Sequence, residues 1–195
     1  MKRTSLLIAV LLSLMASPAF AHLNPAEHGS FAAGFTHPLS GADHILAMVA
    51  VGLWASMLGG RALVVVPLSF VGVMLLGFVA ALGGVSLPYV EPVILASVIV
   101  LGLLVAMAFR ASTLTAALIV GFFAFFHGYA HAGEIGSAAF LSYGAGFALA
   151  TALLHAAGIG VGLAAGRLLQ GRTGQIVVRI AGGFAALSGL YLMAG

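Results

Sequence analysis

THPLSGADHILAMVAVGLWA, residues Thr36–Ala55, decides how this chain is read. From Ile45 to Ala55 every residue is apolar or small, yet His37, Asp43 and His44 stand at the doorway of the run. Ionisable groups are costly at the edge of such a segment and tend to mark ion or proton pathways. Pro38 suits the first position of a helix, where its missing N–H would be unpaired anyway, and Ser40 and Gly41 keep the turn slim. On one straight helix His37 and His44 would lie two turns apart, roughly 10 Å along the axis. That is too far for both to hold one ion. The segment is therefore either partly unwound, which is tolerated at depth where backbone lines a cavity and is used to hold ions in transporters, or the residues are successive stations.

Composition sets the solvent. The chain has 195 residues, 63% of them hydrophobic and 6% charged, with a mean hydropathy of +1.23. A soluble domain carries about a quarter charged residues, so the surface here suits lipid, and a lipid bilayer is the expected surrounding. The net charge of +3 is too small for a nucleic-acid partner, and the lack of cysteine excludes disulfides and thiolate metal sites. Residues 1–21 read as a cleavable signal peptide: Lys2 and Arg3, an apolar stretch from Leu6 to Met15, Pro18, then Ala19-Phe20-Ala21. Cleavage would leave His22 at the mature N-terminus.

The rest, residues 22–195, reads as a single all-α domain, a polytopic membrane bundle of six transmembrane helices. The expected spans are Leu39–Leu58, Ala62–Leu82, Val93–Phe109, Leu114–Tyr129, Phe140–Leu169 and Val177–Ala194; most approach the ~20 residues needed to cross hydrocarbon. With six spans, Arg61, Arg110, Arg167, Arg172 and Arg179 all fall on one side, the cytoplasm by the positive-inside rule. Both mature termini then face the periplasm of a bacterial inner membrane. Glu27, Asp43, Glu91 and Glu134 fall on the opposite side, as do most histidines.

A second motif, FHGYAHAGE (Phe126–Glu134), closes the fourth span. His127 and His131 are four residues apart and share a helical face, Glu134 continues that face if the helix persists, and Gly128 leaves room for another helix or an ion. No acid lies between the histidines, so the H-E-x-x-H protease signature is absent. The neighbouring phenylalanines read as packing or lipid contacts. His155 lies deep in the fifth span, either as a hydrogen-bonding residue or as a deeper station, and His22 and His28 are accessory candidates at the mouth. Gly158, Gly162 and Gly166 form a small-residue ladder that reads as a helix contact.

Imidazole and carboxylate without sulfur suit a divalent ion such as Ni²⁺, Co²⁺, Zn²⁺ or Cu²⁺. The expected arrangement has Asp43 and His44 meeting the His127–His131 face, with His37 one step outside. No G-x-x-x-x-G-K-[ST] loop is present, so the chain is not itself an ATPase. Two rival readings are a b-type haem electron carrier, using His127, His131 and His155, and a membrane assembly factor. An intramembrane metalloenzyme lacks its signature, and no catalytic residues are assigned.

At these two motifs the chain resembles the HupE/UreJ family of nickel permeases. The box H-P-x-x-G-x-D-H appears as His37 to His44, and F-H-G-x-A-H-G-x-E matches Phe126 to His131 and ends at Glu134, departing at Ala132-Gly133, where glycine is expected first. The resemblance implies passage of Ni²⁺, or Co²⁺, from periplasm to cytoplasm without ATP and with no permanently bound cofactor. It also implies an indirect link to urease or [NiFe] hydrogenase maturation proteins, and it leaves room for a homo-oligomer. It gives the transport role to His37, Asp43, His44, His127, His131 and Glu134.

Overall fold

A computed structural model describes residues 30–132, 140–169 and 172–195. The signal-peptide region, His22, His28, Glu27 and Glu134 lie outside the described residues. Those described form helices α1 (Phe31–Ser40), α2 (Ala42–Leu58), α3 (Ala62–Leu82), α4 (Val90–Ala106), α5 (Thr113–Ala132), α6 (Phe140–Leu168) and α7 (Arg172–Ala194). No strand occurs among them.

Four of these helices, α3, α5, α6 and α7, are long and apolar enough to cross a membrane. The pair α1 and α2 passes the same test together but is bent by 83°, and α4 is a shorter apolar helix of 17 residues. Large apolar side chains point outward: Leu68, Leu118, Ile180 and Leu187 are each more than 60% exposed. Such a surface would aggregate in water and is satisfied by acyl chains. The protein is a multi-pass membrane protein.

The sequence places a single span at Leu39–Leu58, and here the structure differs. Helix begins upstream, where the Ser30 hydroxyl accepts a hydrogen bond from Ala33 N at 3.0 Å and so caps α1. Pro38 consequently lies inside α1 rather than opening a helix. The chain breaks at Gly41, whose extended backbone (φ −92°, ψ 123°) ends α1 and starts α2. The other apolar runs match helices to within a few residues, except that α7 starts at Arg172, ahead of the expected Val177.

The main helix pairs are α3 with α5, α4 with α7, and α6 with both α1 and α2. Close approach is built from backbone against backbone. A Cβ on Gly128 would run into the Met74 carbonyl of α3, so the room left there is taken by a helix. A Cβ on Gly158 would run into Val49 O and lie 3.0 Å from Gly52 Cα, while Gly162 is closed off by the Ser56 side chain. The expected ladder thus holds at two positions, against α2. Gly166 departs from it: a Cβ there would meet nothing within 4 Å, and its Cα is approached instead from α7, where a Cβ on Gly174 would lie 3.3 Å away.

The interior holds Trp54, Phe70, Met74 and Phe147, all essentially inaccessible. Arg110 donates from Nη1 to Met57 O at 2.8 Å, and Arg179 from Nε to Ala106 O at 2.7 Å. Both bonds satisfy carbonyls at helix C-terminal ends and gather arginines at one end of the bundle. The motif histidines sit toward the other end.

Candidate metal centre

The break at Gly41 turns α1 back over the bundle and carries His37 inward. One ligand nitrogen from each of His37, His44 and His131 then lies within 4.8 Å of the others, a grouping that could hold a metal ion. The rings of His37 and His131 are 4.3 Å apart between centroids, and those of His44 and His131 are 4.7 Å apart. His44 and His131 are buried, and His37 is partly buried. Of the two possibilities left open for His37 and His44, the structure adopts the broken helix. His37 does not stand one step outside; it joins the cluster, because an 83° bend replaces the straight rise that would have kept it away.

Between His44 and His131 the two Nε2 atoms approach to 2.6 Å. One of them must carry the proton of that bond. Behind His44, Asp43 Oδ1 lies 2.9 Å from Nδ1. The two atoms are in ion-pair contact without hydrogen-bond geometry, and a carboxylate behind the ring favours a cation at its front nitrogen. Gly41 makes this possible, since a Cβ there would fall 2.7 Å from Asp43 Oδ1 and 2.9 Å from His44 Nδ1.

His127 shares the α5 face with His131, as the spacing predicts, but its partner is on α4. Its Nε2 is 3.0 Å from Ser97 Oγ, and both residues are fully buried. Its ring is 5.2 Å from that of His44 and 5.6 Å from Phe70. His155 lies beyond Phe70, 5.0 Å away edge-on, and neither of its ring nitrogens has a hydrogen-bond partner among the described residues. The interhelical hydrogen-bonding role considered for it is therefore not seen among those residues.

Sequence reasoning missed three contributors. Phe147 on α6 faces His131 at 5.0 Å and also borders His37 and His44. Tyr143 lies 6.3 Å from His37, and Ser97 holds His127. An aromatic or a serine inside an apolar run carries no distinguishing signal. For the α1 cap a signal did exist: Ser30 directly precedes the first helical residue, Phe31.

These features define a class: a multi-pass helical membrane protein with a histidine cluster enclosed by its bundle. Residues 10–192 match the family model described as HupE / UreJ protein. The chain is 46% identical over 190 residues to Protein HupE of Rhizobium leguminosarum bv. viciae, across 96% of this chain and 97% of that protein. The chain belongs to the HupE / UreJ family. No solved structure matches it.

Proposed function

We propose that this protein carries Ni²⁺, with Co²⁺ as the other candidate, from the periplasm to the cytoplasm, in support of urease or [NiFe] hydrogenase maturation. The observation that carries this reading is the convergence of His37, His44 and His131 through the break at Gly41. Three imidazoles backed by a carboxylate suit a late first-row divalent ion. Intrinsic affinity would favour Cu²⁺ over Ni²⁺, so the choice of nickel rests on the family.

In this reading the chain spans the inner membrane six times after removal of residues 1–21, with α1 and α2 together as the first span and the arginine end in the cytoplasm. Glu134 adds negative potential at the mouth, and His22 and His28 collect the ion. The cluster replaces water around the ion, and His127 and then His155 receive it. An inside-negative potential supplies ~2.3 kcal/mol per charge per 100 mV, so a divalent cation gains about 4.6 kcal/mol. That suffices for roughly a thousandfold accumulation without ATP. The function is transport rather than catalysis. The haem reading, on His127, His131 and His155, fits less well: Phe70 packs against both His127 at 5.6 Å and His155 at 5.0 Å, and His131 Nε2 is engaged by His44 Nε2 at 2.6 Å.

The test is uptake of radioactive Ni²⁺ into proteoliposomes with and without an imposed potential. Wild type should accumulate the ion, and His44→Ala and His131→Ala should not. Wild-type vesicles no faster than protein-free ones would end the permease reading. Metal accumulation that survives His44→Ala while enzyme maturation fails would favour an assembly factor.

A further inference from the structure

Hydrogen-bond accounting at Ser97 fixes which nitrogen of His127 is available. The Ser97 hydroxyl has one proton. Its Oγ lies 2.6 Å from Ile94 O, a carbonyl that can only accept, so the proton goes there. The same Oγ lies 3.0 Å from His127 Nε2 and can face it only with a lone pair. Nε2 must therefore carry the hydrogen of that contact. In the neutral ring the lone pair then belongs to Nδ1, which is buried and has no hydrogen-bond partner among the described residues.

A buried imidazole nitrogen with an uncommitted lone pair is able to serve as a metal ligand. On α5 it sits one turn from His131, about 6 Å along the axis, and its ring adjoins that of His44 at 5.2 Å. We infer that Ser97 is a positioning residue: its hydroxyl holds His127 as the Nε2–H tautomer, so that Nδ1 is presented as the next ligand for an ion leaving the His37–His44–His131 cluster. This deepens the transport reading and rests on it for the identity of the cargo. The tautomer itself does not depend on that reading.

The arrangement differs from that at His44. There a carboxylate lies at Nδ1 and Nε2 faces the cluster; at His127 a hydroxyl holds Nε2 and Nδ1 is left. Successive stations would thus present opposite ring nitrogens. Removing the hydroxyl leaves Nε2 without its acceptor and frees the ring to change tautomer.

The experiment is solid-state NMR on the full chain in lipid bilayers, with ¹⁵N-labelled histidine, first without metal and then with Zn²⁺ as a diamagnetic probe. His127 is assigned by comparison with His127→Gln. The expected metal-free spectrum shows His127 protonated at Nε2 and bare at Nδ1, with Zn²⁺ shifting the Nδ1 resonance. Ser97→Ala should mix or invert the tautomers and slow Ni²⁺ uptake about tenfold, in line with the loss of an outer-shell partner. Ser97→Thr, which keeps the hydroxyl, should restore the tautomer. A wild-type ring protonated at Nδ1 would overturn the inference, as would Ser97→Ala with an unchanged tautomer and unchanged uptake. An Nδ1 resonance indifferent to Zn²⁺ would overturn the ligand role. Failure of the permease reading would show separately, as wild-type vesicles that carry no Ni²⁺ while the metal-free spectrum still reads the tautomer.

Discussion

Gly41→Ala tests the site at its narrowest point. The backbone there is in the extended region, which alanine adopts freely, so the break itself would not be strained. The effect comes from two other sources. First, the new methyl would sit 2.7 Å from Asp43 Oδ1 and 2.9 Å from His44 Nδ1, so both must retreat by about 0.5–0.7 Å to reach ordinary contact at 3.4 Å. Second, alanine favours helix over glycine by about 1 kcal/mol, roughly fivefold in population, toward a continuous α1–α2 helix. In that straight form His37 and His44 separate by roughly 10 Å along the axis, and a set now held within 4.8 Å loses a member. Disturbing the partner behind a ligating histidine typically weakens metal affinity 10- to 100-fold. Equilibrium dialysis with radioactive Ni²⁺ should show a loss in that range, and proteoliposome uptake should fall with it. Gly166→Ala is the matched control, because its methyl enters open space; it should bind as wild type does. If Gly41→Ala also bound and carried the ion normally, the broken helix would not be what assembles the site.

Asp43→Asn keeps the side chain's shape but removes its charge behind His44; metal affinity by the same dialysis should drop about 10-fold or more. Gly128→Ala drives a methyl into the Met74 carbonyl, and thermal unfolding in detergent should show a loss of about 1–3 kcal/mol. Mass spectrometry of the purified protein should find His22 as the first residue, and His22→Ala should slow uptake when Ni²⁺ is limiting but not when it is abundant.

Much of the bundle could be read from apolar run length alone, because a segment that must bury its backbone in hydrocarbon has few alternatives to helix. The two motifs contain the three histidines, His37, His44 and His131, that the structure draws together. What they could not give was the path of the chain through Gly41. Reading Pro38 as a helix start leaves out the helix upstream of it, which Ser30 caps. His37 was thereby placed outside a cluster that it helps to form. Ser97 and Phe147 stayed invisible for a different reason: their roles arise from which helices become neighbours, and single-sequence periodicity carries no information on that. At Gly166 the four-residue spacing continues, but the close neighbour is Gly174 of α7 rather than α2.

The 2.6 Å approach of His44 and His131 has a mechanical meaning. Two nitrogens bound side by side to one ion at ~2.1 Å each stand roughly 3 Å or more apart. An ion held by both nitrogens would therefore part the two rings by about 0.4 Å. Without an ion the two rings share a proton instead. On the proposed transport reading, the ion itself would break the contact that closes the cluster.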